Sequence, residues 1–153
     1  MDTVWELFDV GLVAILKGLF QGIEFTNHKL VLTETTAWDK TATITEIEAA
    51  ELDDGNGYNA GGMSILSALT ANPVFDTPQD RAESGVIDLS TRITASGGSL
   101  SFRGIVWVGT FEAVDTPLFF IKLPALATVT DGNSYPLQWV VNAGGPGTNL
   151  VTP

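Results

Sequence analysis

The chain has no cysteine, one histidine and only seven basic residues among 153. The first absence excludes disulfides, thiol catalysis and cysteine-ligated metal sites, and leaves the chain indifferent to redox compartment. The second leaves one position, His28, for the imidazole base of a nucleophilic triad. It stands in "TNHKL", at an expected turn into a strand, and reads as a surface residue. The third, set against 18 acids and a net charge of −11, excludes a nucleic-acid interface, which needs clustered Lys and Arg to displace counterions. The acidity itself reads as solubility. Charged residues are 16% of the chain, below the usual value of about 25%, so the surface is either partly covered by partners or rich in Ser and Thr. A membrane span is also missing. Such a helix needs about 20 mostly apolar residues, and the N-terminal run "VWELFDVGLVAILKGLF" is interrupted by Glu6, Asp9 and Lys17. Its acidic start lacks the basic region and small-residue cleavage site of a secretory signal.

What is present is a hydrophobic fraction of 44%, enough for one domain with a real core. Trp5, Phe8, Leu12, Ile15, Leu16 and Leu19 recur at helical spacing. An N-terminal helical segment over 1–22 is therefore expected, packed on the domain or swapped between subunits. Gly11 and Gly18 weaken that helix, each by about 1 kcal/mol relative to Ala. From residue 23 to 142 Thr, Val, Ile and aromatics dominate between frequent turn residues, the pattern of an antiparallel β-sandwich, jelly-roll-like. Expected strands include "KLVLT" (Lys29–Thr33), "ATITEIE" (Ala42–Glu48), "GVIDLSTRIT" (Gly85–Thr94), "SLSFRGIVWV" (Ser99–Val108), "LFFIKL" (Leu118–Leu123) and "YPLQWVV" (Tyr135–Val141). "MSILSAL" fits a strand or a helical turn. In "SLSFRGIVWV", Leu100, Phe102, Val106 and Val108 are expected on one face, and Ile105–Val108, apolar on both sides, marks a central strand. "GTFEAVDTP" reads as a loop and "TDGNS" as a hairpin turn. The glycine-rich segment 143–153 reads as a flexible tail or as an arm that orders on a neighbour.

Little in this chain offers covalent chemistry. Asp53, Asp54, Asp76, Asp80 and Glu83 fall in expected loops, and nothing marks two of them as a carboxylate pair with separated pKa values. "DDGNG" (Asp53–Gly57) places oxygen donors on a tight turn. The twelfth position of a calcium loop would then be Ser64 or Ile65 in place of the required Glu. "GYNAGG" (Gly57–Gly62) lacks the Gly-Lys-Ser/Thr ending of a phosphate loop. It reads as a left-handed or bulged turn pinned by Tyr58. No cofactor or metal is expected.

Six segments in order resemble a class of small structural proteins of tailed bacteriophages. They are "LKGLF" (Leu16–Phe20), "KLVLT", the acidic run into Gly-Tyr-x-x-Gly-Gly "ELDDGNGYNAGG" (Glu51–Gly62), "GGSLSFRGIVWV" (Gly97–Val108), "PLFFIKL" (Pro117–Leu123) and "GNSYPLQWVV" (Gly132–Val141). The resemblance spans nearly the whole chain. It implies a virion component: a capsid decoration (cement) protein that binds the major capsid protein and forms a homotrimer on the capsid surface. A low-copy head-tail, tail or fibre module is the alternative, and a carbohydrate-binding host-attachment module a second one. The resemblance carries no catalytic residues, so no enzyme is expected, nor a nucleic-acid or membrane partner. Expected contact residues are Trp5, Phe8, Leu12, Leu16, Trp38 and Tyr58.

Overall fold

The computed structural model describes residues 5–65, 73–76, 81–84, 87–89, 91–141 and 151–152. The fold is mainly β and sandwich-like. Its centre is β7 (Leu100–Phe111), flanked by β2 (Phe25–Thr33) and β8 (Val114–Val129). Two-residue strands close the edges, β1 (Glu6–Leu7) beside β8 and β3 (Met63–Ser64) beside β2, and every pairing in this five-stranded sheet is antiparallel.

Both faces of the sheet are buried. On one, Leu30, Leu32, Phe102, Ile105, Trp107 and Ile121 meet Tyr58, Ile65, Leu89, Ile93 and Leu137. Leu89 and Leu137 adjoin a short ladder of β6 (Ile87–Asp88), β9 (Gln138–Val141) and β10 (Val151–Thr152). Backbone bonds from Leu89 to Leu137 and from Tyr135 to Ile93, at 2.9 and 2.8 Å, extend it. On the other face, Val31, Val106, Val108 and Phe120 pack against Phe8, Trp38, Ala42 and Ile47. A separate hairpin pairs β4 (Pro73–Asp76) with β5 (Arg81–Ser84).

The central strand expected at Ile105–Val108 is present, with all four side chains buried. Its facing is different from the simple alternation. Between Phe102 and Gly104 the register shifts, Arg103 standing opposite four residues of β8, and across this irregularity Leu100 and Phe102 share a face with Ile105 and Trp107 while Val106 and Val108 point to the other side. A bulge interrupts the period of two, so the facing before it does not carry through it. The expected strand Ala42–Glu48 is instead a helix, α2 (Ile44–Ala49). Thr43 and Glu46 form its capping box, the Thr43 N–H donating to the Glu46 carboxylate at 2.7 Å. The expected loop after β7 is a two-residue hairpin turn, Glu112–Ala113, with φ of 50° and 64°. Of the strand expected over Gly85–Thr94, β6 keeps Ile87–Asp88, and a turn follows at Thr91–Arg92. The part of "MSILSAL" after Ile65 and the segment 142–150 lie outside the described residues; Val151–Thr152 pairs with Val140–Val141.

Candidate functional site

The N-terminal helix, α1, runs Asp9–Gln21 and ends where Gly22 adopts φ 69°. Trp5 and Phe8, expected on this helix, precede it. They flank β1, whose alternation sends Trp5 to one face of the sheet and Phe8 to the other. A helix of a globular protein normally turns its large apolar residues inward. In α1 the buried residues are Gly11 and Ala14. A Cβ on Gly11 would stand 2.7 Å from the Leu118 Cα and its carbonyl oxygen, so the helix backbone rests directly on β8. This contact gives the glycine that weakens the helix a packing role.

With the small face inward, the large one faces solvent. Val10, Leu12, Val13, Leu16, Leu19 and Phe20 are exposed, Leu19 by 73% and Phe20 by 80%. Beside them a groove of about 230 Å³ runs between α1 and the β7–β8 hairpin, lined by Val10, Val13, Lys17, Phe111, Glu112 and Val114 among others. Charge at its margins is balanced: Lys17 lies 3.9 Å from Glu112, and Lys40 3.9 Å from Asp9. Two of the four lysines of the chain are thus placed beside this helix.

The six expected contact residues divide. Leu12 and Leu16 are exposed on this face. Trp5, Phe8, Trp38 and Tyr58 are interior residues of the chain itself, at most 6% exposed, and are corrected to packing roles. Phe8 stacks between Trp38 and Phe120, with ring centroids at 5.8 and 4.6 Å. Trp5 meets Trp107 edge-on at 6.2 Å. Trp38 sits in a loop, where Lys122 lies 4.9 Å over its ring and donates to its backbone carbonyl. The hollow of about 310 Å³ beside it is lined by Thr35, Ala37, Trp38, Glu46, Ala49 and Ala50, and its carboxylate is held by the Thr43 cap.

Tyr58 explains "GYNAGG". Asn56 and Gly57, at φ 53° and 92°, turn the chain between Gly55 and Tyr58, which exchange backbone bonds at 3.0 and 2.9 Å. The turn drives Tyr58 into the core, where its hydroxyl accepts the Leu32 N–H at 3.2 Å and donates to the Glu51 carboxylate. Burial, then the bond to Glu51, pushes the Tyr58 pKa upward. Glu51 also accepts the Gly61 N–H at 2.7 Å, and Asp54 the Ala60 N–H at 2.6 Å. These acids tie the loop to itself. No group of three or more metal-ligating side chains occurs among the described residues. Asp76 and Glu83, expected in loops, lie in β4 and β5; Asp80 is outside the described residues.

His28, expected at a surface turn, is half-buried within β2 and accepts the Trp107 indole N–H at 3.1 Å. Phe25 packs beside it at 5.7 Å. Burial lowers its pKa, and its accepting Nδ1 serves structure. No helix among the described residues is long and apolar enough to cross a membrane. Comparison with protein-family models, with curated proteins and with solved structures finds no match.

Proposed function

We propose that this chain is a structural assembly protein of a virus particle, a decoration (cement) protein that binds the major capsid protein of an assembled head. The observation that carries the reading is α1: a helix docked through glycine and alanine, with its leucines and Phe20 presented to solvent. Contiguous apolar surface of this kind marks a place where another protein sits. The resemblance of six ordered segments to phage structural proteins supplies the setting. A protein that binds the assembled lattice and not free coat subunits stabilises the shell by ordinary linkage, and closed symmetry lets one patch act several times.

A net charge of −11 opposes contact with nucleic acid or an anionic membrane, where basic residues supply the attraction. The carbohydrate-binding alternative needs aromatic platforms facing a groove. Trp5, Trp38 and Trp107 are instead buried, which counts against it. Quantitative mass spectrometry of purified particles tests the proposal. Decoration requires hundreds of copies per particle. A handful would favour the head-tail, tail or fibre reading, and absence from particles would overturn both.

A further inference from the structure

Eight large hydrophobic side chains are exposed among the described residues, and six of them lie on α1. Leu12, Leu16 and Leu19 are spaced by four and then three residues, the repeat of a seam that receives a second helix. Val13 and Phe20 widen the seam on one side. We propose that α1 is a homotypic interface, in which this stripe pairs antiparallel with the same stripe of a second copy about a two-fold axis near Leu16. This rests on the reading of the chain as an assembly protein and names its partner. In that arrangement Leu16 meets its own symmetry mate, Leu12 meets the partner's Phe20, and Val13 meets the partner's Leu19.

Three observations select a second copy. The first is area. Six large apolar side chains, from 40% to 80% exposed, form one surface on each chain. A standard interface buries about 800 Å² per partner, and the rim of the groove, including exposed Val114, extends the contact toward that figure. The second is composition. Homodimer interfaces are more apolar than those between separately soluble partners, and within the 13 residues of α1 the only charges are Asp9 and Lys17. A stripe of this kind needs cover before any particle forms, and another copy is always present to give it.

The third is charge. Each copy carries −11, yet beside α1 the pairs Lys17–Glu112 and Lys40–Asp9 cancel, so two copies meet here with little repulsion. Asp9 opens the helix on its outward side. A parallel or three-fold arrangement gathers the Asp9 carboxylates and aligns the helix dipoles, whereas the antiparallel one sends them to opposite ends. A membrane surface fits less well, because interfacial helices carry Lys and Arg on their polar face.

The absence of cysteine makes the test clean. Sedimentation equilibrium of the whole chain is expected to show a dimer. Leu16→Glu, a change at an exposed position, is expected to weaken it at least tenfold with an unchanged circular dichroism spectrum. Under mild oxidation Leu16→Cys alone is expected to form a disulfide-linked dimer. Leu12→Cys and Phe20→Cys are expected to cross-link only when mixed. Self-linking of Leu12→Cys, or a trimer, would overturn the antiparallel pairing. So would a chain monomeric at every concentration, or one that binds phosphatidylcholine vesicles through this stripe without dimerising. A monomer found at hundreds of copies in particles removes the pairing and keeps the assembly role; a dimer absent from particles does the reverse.

Discussion

Tyr58 and His28 show how single polar atoms are placed inside an otherwise apolar core. The Tyr58 hydroxyl satisfies the Leu32 N–H on β2 and is itself satisfied by Glu51. Tyr58→Phe keeps the ring and strands the Leu32 N–H, while Glu51 retains the Gly61 N–H. A buried unpaired donor costs about 1–3 kcal/mol, so urea denaturation is expected to show a loss of that size with an unchanged m-value. No loss would mean that water replaces the hydroxyl. His28 supplies the second case. It must be neutral to accept the Trp107 indole N–H, and burial holds its folded pKa below the usual 6.5. The unfolded chain therefore binds the proton more readily, and stability rises with pH in this range. The contribution is full above about pH 6.5 and is lost as pH falls through the lower folded value. The melting temperature of the wild type is expected to drop between pH 7.5 and 5.5, and that of His28→Gln to change less. Equal slopes would contradict this assignment.

The β7–β8 hairpin turns on two non-glycine residues held at positive φ, Glu112 and Ala113. Two-residue turns of this hand prefer Asn-Gly, because a Cβ is crowded in the left-handed region. Glu112→Asn with Ala113→Gly is expected to stabilise the chain by about 0.5–1 kcal/mol, read as a rise in melting temperature; a fall would contradict the turn. The same pair shows why this corner was not legible. "FEAV" carries no turn residue, and tertiary pairing of two long strands overrides the local preference. Where pattern and packing agree, as at Lys29–Thr33 and Ile105–Val108, the strands are readable from sequence. Helix α2 was legible in principle, since Thr43 and Glu46 stand at capping-box spacing, but Thr and Ile favour a strand reading. The bulge beyond Phe102 is marked only by Gly104 and, across from it on β8, by Pro124. On α1 periodicity gives the helix and its two faces. It does not tell which face the protein buries, because docking through Gly11 depends on the backbone of β8, a hundred residues away in sequence.

At the scale of the molecule, a sheet buried on both faces carries one helix with its apolar side turned outward. The interior is self-sufficient: the aromatic residues expected to meet partners, Trp5, Phe8 and Trp38, are consumed by packing. The surface left for assembly is therefore concentrated on α1, and the candidate site was only partly legible, through Leu12 and Leu16. Leu19 and Phe20, the most open residues of the stripe, sit within the same "LKGLF" segment that carries part of the phage resemblance. The most direct measurement is hydroxyl-radical footprinting of α1 in the native assembly and in the Leu16→Glu monomer. The account predicts that Leu12, Leu19 and Phe20 are oxidised several-fold more slowly in the assembly, while exposed Leu126 on β8 reacts alike in both. Equal reactivity of the α1 residues in the two states would show that nothing covers the stripe, and would contradict it.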